Sequence, residues 1–173
     1  MARILYGVHG SLHGHAVRAL TLARRFREHT FLFVSHGRGA ALLRPEFQVV
    51  EIPGPLTVYR DHRVDQVATL RENLRFFLTA ERRIRQVMAL IRAFQPDAAL
   101  CDYDFLVPRA CRRLGLPCLA VDHQHIITAC RHTLPPRLWG GYLSLAAVIR
   151  LFFSQASHHL VISFFRPPLR PGT

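Results

Sequence analysis

A single α/β domain built on a doubly wound parallel sheet is what this sequence predicts, and three observations carry the prediction. Short β-branched and aromatic runs alternate with helical patterns, as in a succession of βαβ units. The runs are continuously apolar, which suits strands covered on both faces. The first, Ile4-Leu5-Tyr6-Gly7-Val8, passes into a loop rich in His and Gly, His9-Gly10-Ser11-Leu12-His13-Gly14, and then into a helix. That order places backbone N–H groups and a positive helix end at the carboxyl edge of a parallel sheet, where anionic or polar ligands bind.

The elements follow from local pattern. Strands are expected over 3–8, 30–35, 48–52, 98–102, 118–121 and 159–162, each a short apolar run. The first helix is expected to open at His15 and run to about Arg27, carrying Arg18, Leu22 and Phe26; a short one covers 38–43. A long helix over about 65–94 repeats Val67, Leu70, Leu74, Phe77, Ile84, Met88 and Ile91 at three- or four-residue spacing, a single apolar stripe. Arg71, Arg75, Arg82, Arg85 and Arg92 read as its solvated face. A further helix over 105–114 stops at Gly115 with Pro117 beyond. Residues 164–173 hold three prolines and no apolar period, and read as a linker or tail after a domain of 1–163.

The chain is long enough for one core, and half of it is hydrophobic. Its net charge is +12, and all 23 basic residues are Arg. Biased codon usage accounts for such a set, yet a surface this positive attracts phosphates, anionic headgroups and nucleic acid in a salt-dependent way. No nucleic-acid reading motif accompanies the charge, and the Arg residues are spread over helices rather than clustered with aromatics, so nucleic acid is not the expected partner. Cys101, Cys111, Cys118 and Cys130 form no CxxC pair, which suits reduced thiols and a cytoplasmic setting. The longest apolar run, 138–149, is shorter than the roughly 20 residues of a spanning helix.

The stretch GVHGSLHGHAVRA, Gly7 to Ala19, resembles the amino-terminal glycine loop of GT-B glycosyltransferases, most closely the branch of the bacterial peptidoglycan N-acetylglucosaminyltransferase. Gly10, Ser11, His13, Gly14, His15 and Arg18 fit that loop, whereas Leu12 stands where the family has Gly and hinders close approach of a ligand to the backbone. PDAALCDYDFLVPRACRRLGLPCLAVDHQH, Pro96 to His125, resembles the family's strand, acidic loop, helix, strand and Gln-containing loop. The resemblance implies a Rossmann-like single domain, the amino-terminal, acceptor-side half of a GT-B fold. It also implies a nucleotide-sugar as co-substrate, with no separate cofactor, and a carboxy-terminal donor-binding domain or separately encoded partner chain.

Sugar transfer with inversion needs a base for the acceptor hydroxyl and groups that stabilise the departing diphosphate. His15, at the head of the first helix, is the candidate base, with His13 the near alternative. Asp102, at a strand's carboxyl end, faces the crevice and either orients the acceptor or acts as base; Asp104 suits a helix cap. Gly10, Ser11, His13, Gly14, Arg18, Asp122, His123, Gln124 and His125 are the candidate substrate-binding set. Neither the group of Asp122, His123, Gln124 and His125 nor that of His9, His13 and His15 has the spacing of a metal site, so none is expected.

Around Leu138 to Phe153, Trp139, Tyr142, Phe152 and Phe153 lie near Arg131, Arg137 and Arg150. The segment suits either a helix at an anionic membrane face, where a lipid-linked acceptor is met, or a core helix apolar on all sides. Transfer of a hexosyl or N-acetylhexosaminyl group to a cell-envelope or lipid-linked acceptor is the first reading, with the chain incomplete alone. A non-catalytic glycan- or partner-binding module of the same fold is the alternative.

Overall fold

The computed structural model describes residues 1–60 and 63–170. Six strands form one parallel sheet: β1 (Arg3–Val8), β2 (Thr30–Ser35), β3 (Gln48–Glu51), β6 (Ala98–Asp102), β7 (Cys118–Asp122) and β8 (His158–Val161). Their spatial order is β3-β2-β1-β6-β7-β8, so the chain builds outward from β1 in one direction and then returns to build from β6 in the other. β1 and β6 therefore flank the topological switch point, the place where an open parallel sheet leaves a crevice at its carboxyl edge. Their register pairs Gly7 with Cys101 and Val8 with Asp102. The residues that follow, the glycine loop on one side and Tyr103 on the other, thus emerge side by side. The expected doubly wound α/β fold is the one observed.

Both faces of the sheet are covered. Tyr6, Val8, Phe31 and Phe33 pack against Ala16, Ala19, Leu20 and Ala23 of α1 (His13–Arg25) and Leu43 of α2 (Gly37–Leu43). On the other side Leu5, Leu32, Val34, Ala99 and Cys101 meet the long helix α3 (Gln66–Phe94) and α4 (Leu106–Leu114). Helix ends follow local chemistry. The Asp65 carboxylate caps α3 by accepting from Ala68 N–H at 2.9 Å, and Gly115, at φ +68°, ends α4 in the left-handed turn that glycine adopts without a Cβ penalty.

Three features differ from expectation. Helix α1 opens two residues early, at His13, which takes His13 and Gly14 out of the loop and into the first turn. A two-stranded antiparallel pair, β4 (Tyr59–Arg60) and β5 (Arg63–Val64), precedes α3 and had no pattern to announce it. The stripe expected on α3 holds in its later turns, where Ile84 and Ile91 are buried and Phe77 and Met88 pack against the core, but not in its first turns: Val67, Leu70 and Leu74 are exposed, and Phe76, Ala80 and Val87 are buried in addition. The cause is the first turns of α3, which pack through polar groups. Asn73 bonds both Leu56 N–H and Leu56 C=O, and Thr69 accepts from Val58 N–H, so the leucines of those turns face outward.

The segment after β7 holds a short helix α5 (Ile126–Ala129), a 3-10 turn (Pro136–Leu138), helix α6 (Trp139–Val148) and a π-helical turn (Ile149–Phe153). Of its apolar residues, Ala146, Ile149 and Phe153 are buried, whereas Leu138, Trp139, Leu143, Leu145 and Leu151 are exposed. Residues 168–170 lie back along 129–131, with backbone bonds from Arg131 to Pro168 and from Arg170 to Ala129. Among the described residues no helix is long and apolar enough to cross a membrane.

Candidate active site

The site is assembled at the switch point by backbone before any side chain is considered. His9 N–H donates to Asp102 C=O at 3.0 Å, and Gly39 N–H to Gly10 C=O at 3.0 Å, which ties the loop after β1 to the end of β6 and the first turn of α2. Gly10 is required by this closeness: a Cβ there would lie 1.8 Å from the carbonyl oxygen of His36. The loop is thus pressed against its neighbours, and helix α1 starts where its first turn points over β6.

On that turn, His15 is buried and its Nδ1 lies 2.7 Å from Asp102 Oδ1, eighty-seven residues away in sequence. Arg18, one turn on, grips the same carboxylate at both oxygens: Nε donates to Oδ2 at 2.6 Å and an Nη to Oδ1 at 2.7 Å. Burial alone would draw the Arg18 guanidinium down, but the hydrogen bond and charge of Asp102 more than offset it and hold it above its ordinary value. Asp102 itself is fully buried, so the pairing supplies the compensation that a buried carboxylate needs. With Asp102 as acceptor, Nδ1 of His15 carries the proton and Nε2 presents a lone pair, the tautomer of a general base. That Nε2 faces Gln124 Nε2 at 3.4 Å.

The remaining candidates divide. His123 reaches the cluster, its Nδ1 lying 3.1 Å from Arg18, and burial together with the Arg18 charge lowers its basicity. Gln124 lies against His15, and its Oε1, like the Ser11 hydroxyl, is buried without a protein partner. Asp122 and His125 sit deeper and engage each other, with His125 Nδ1 2.8 Å from Asp122 Oδ2 and Nε2 3.2 Å from Ser154 Oγ. His13 and Gly14 are exposed on the outer side of the first turn of α1. Asp104 accepts from the N–H groups of Leu106 and Val107 at the head of α4, and its burial pushes its carboxyl up to about 6.

Two residues of the site, His36 and Tyr103, were not singled out from sequence, and His9 was weighed there only as one of a histidine group without metal-site spacing. His9 and His36 are buried beside His15, with His9 edge-on to both at 5.4 and 5.6 Å. Burial, with His15 and His36 nearby, pushes His9 down to about 3, so it stays neutral. Tyr103 stacks on the His15 ring. Only the position of His9, directly after the strand, offered a signal. Among the described residues no three His, Cys, Asp or Glu side chains converge in a way that would hold a metal ion.

Comparison with known proteins agrees with the fold. The family-wide pattern of glycosyl transferase family 1 matches residues 2–172. No curated protein matches by sequence. Among solved structures, MurG of Acinetobacter baumannii superposes with a TM-score of 0.51 and 16% identity, over 96% of this chain and 43% of that one. UGT73P12 of Glycyrrhiza uralensis, complexed with glycyrrhetinic acid 3-O-monoglucuronide, gives 0.59 and 17%, over 95% and 44%. The UDP-GlcNAc 2-epimerase of Neisseria meningitidis, bound to UDP-GlcNAc, gives 0.50 and 12%, over 92% and 39%. The chain spans less than half the length of each of these three proteins, and likeness at such identities establishes the fold, here one Rossmann-like half of a GT-B architecture. With a match over nearly its whole length, this chain belongs to glycosyl transferase family 1.

Proposed function

We propose that this chain is the acceptor-side domain of a GT-B glycosyltransferase, in which His15 Nε2 takes the proton from an acceptor hydroxyl. The observation that carries the reading is the buried His15–Asp102 pair at the switch point, locked by Arg18. Attack of the acceptor oxygen on the anomeric carbon breaks the bond to the nucleotide diphosphate. The proton passes to His15, and Asp102 stabilises the imidazolium that results. His123 and Gln124, with Ser11, line the approach to Nε2 and offer hydrogen bonds to sugar hydroxyls. The donor is a nucleotide-sugar carrying a hexosyl or N-acetylhexosaminyl group, held by a second domain or a separately encoded partner chain.

A cell-envelope or lipid-linked acceptor is supported by the exposed apolar side chains of α6, Trp139, Leu143 and Leu145, and by the exposed leucines of α3 with their flanking arginines. These surfaces suit peripheral contact with an anionic membrane face on the cytoplasmic side. Leu12 favours a second reading, a glycan-binding module without catalysis, because its exposed side chain stands at the mouth of the loop.

The test is sugar transfer from a panel of nucleotide-sugars by the chain combined with a GT-B donor-binding domain supplied as a second chain. His15→Ala is expected to lower kcat by a factor of about 10²–10⁴, the ordinary contribution of a general base, and Asp102→Asn to lower it comparably by losing the tautomer. Glycan binding that survives both substitutions with no transfer by the unmodified protein establishes the module instead.

A further inference from the structure

Tyr103 occupies a position that its residue type resists. It follows Asp102 at the end of β6 with φ at +51°, a left-handed conformation that a bulky L side chain rarely adopts and that persists only where the surroundings enforce it. The turn is enforced from both sides. Asp102 before it is locked to His15 and Arg18, and Asp104 after it is bound to the head of α4.

The strained turn delivers the phenol ring into a stack. One face lies on Phe153, with centroids 3.9 Å apart and planes 14° from parallel. The other faces the His15 imidazole at 5.8 Å and 10°. His9 closes the edge, at 5.8 Å from Tyr103 and 5.4 Å from His15, nearly perpendicular to both. With one face stacked on Phe153 and His15 bordering the ring, Tyr103 is not laid out as a platform for a ligand. What it does offer is a wall for His15. The link at Cβ, the bond from Nδ1 to Asp102 and Gln124 at 3.4 Å from Nε2 hold the imidazole at its rim and leave tilting of its plane as the motion still to be limited. A ring set parallel and alongside, offset at 5.8 Å between centroids, limits that tilt and sets the direction of the Nε2 lone pair.

We propose that Tyr103 is a positioning residue for His15: the left-handed turn after β6 inserts its ring as a splint between Phe153 and the imidazole, fixing the plane from which Nε2 acts. This rests on the reading of His15 as the base. It also gives the π-helical turn at the end of α6 a role in the site, because Phe153 backs the splint from the far side. Misplacing a reacting group by about an ångström costs up to about 10²-fold in rate, so a splint of this kind acts on kcat with little effect on KM.

Two measurements test it. The first is on the 173-residue chain itself: nitrogen and proton NMR of the histidine rings, with His15 assigned through His15→Gln. Tyr103→Phe keeps the stacked ring and should leave the His15 signals near those of the unmodified chain. Tyr103→Leu should move them and broaden them as the imidazole rocks, while circular dichroism reports the fold retained. Phe153→Leu, which leaves Tyr103 in place but unbacked, should move them in the same direction by less; it also serves should Tyr103→Leu fail to fold. The second measurement is transfer by the completed enzyme, where Tyr103→Leu should lower kcat tenfold or more with KM nearly constant, and Tyr103→Phe should restore it.

Unmoved His15 signals in both Leu variants overturn the splint. So does a Tyr103→Phe variant as impaired as Tyr103→Leu, since the hydroxyl rather than the ring face would then act. If His15→Ala leaves transfer intact while the His15 signals respond to Tyr103 as described, the splint stands and the base assignment falls.

Discussion

Two glycines after β1, Gly10 in the loop and Gly14 in the first turn of α1, should respond in opposite directions to the same substitution. At Gly10 a Cβ would meet His36 O at 1.8 Å, His36 C at 2.6 Å and His36 N at 2.8 Å, all of them backbone and none able to swing aside. Normal contact requires the two loops to part by well over an ångström. That breaks the Gly39 N–H bond to Gly10 C=O and loosens the turn that presents His15. Overpacking of this kind costs about 1–3 kcal/mol and sometimes more, and with backbone on both sides the upper end applies, about 3 kcal/mol, or more than a hundredfold in the folding equilibrium. At Gly14 a Cβ meets nothing within 4 Å, and the residue lies inside α1. There Gly14→Ala should gain about 0.5–1 kcal/mol by reducing the entropy of the unfolded chain and improving helix propensity. Urea unfolding followed by circular dichroism reads both: the midpoint falls for Gly10→Ala and rises for Gly14→Ala, with unchanged m-values. A Gly10→Ala protein as stable as the parent would refute the claim that backbone closeness, rather than ligand access, demands this glycine.

Stability should also carry a specific pH signature. His9 is pushed down to about 3 in the fold from an ordinary 6.5, so the unfolded chain binds a proton that the fold refuses. Its contribution is fully present above about 6.5 and is lost as pH falls toward 3, at most about 5 kcal/mol at 1.36 kcal/mol per pH unit. Asp104, pushed up to about 6 from 3.8, acts oppositely: its contribution is present below about 3.8 and lost as pH rises through 6. Between about pH 4 and 6 the two nearly cancel, so the parent should show little slope from this pair while His9→Leu gains stability relative to it as pH falls. A stability difference between the two that is flat with pH would show that His9 is not a buried neutral base. All four cysteines are buried, and hydrogen bonds between the thiols together with burial hold Cys111 and Cys118 above the usual range. A thiol-reactive chromophore should label none of them in the native chain and all four in denaturant; rapid native labelling would contradict the packing around β6 and β7.

The elements that positioned the site were largely legible. Apolar runs separated by turn residues located all six strands of the parallel sheet to within a residue or so; for the inner strands β1, β2, β6 and β7 burial leaves a signal that needs no long-range knowledge, while the edge strands β3 and β8 are largely exposed. The resemblance in Gly7–Ala19 and Pro96–His125 pointed to the two loops that do meet. Where local pattern competed with tertiary contact, it failed. The leucines at 70 and 74 read as core because their spacing is helical, but Asn73 and Thr69 hold that turn on the 56–58 backbone and leave them outside. Helix α1 started early because nothing in Leu12-His13-Gly14 forbids helical dihedrals, even though Leu12 provides no cap.

What the sequence determined by itself was the layer order and the candidates, since period, turn chemistry and chain length act over a few residues at a time. That His15, Arg18 and Asp102 form one locked unit, that Asp122 turns away to His125, and that Tyr103 lies against the base were decided only by tertiary structure. The pairings of His15 and Arg18 with Asp102, and of His15 with Tyr103, join positions eighty-four to eighty-eight residues apart, and they exist because β1 and β6 are neighbours in the sheet. Burial of Asp102 then leaves its charge no solvent to turn to, so the side chains able to neutralise it are drawn to one place.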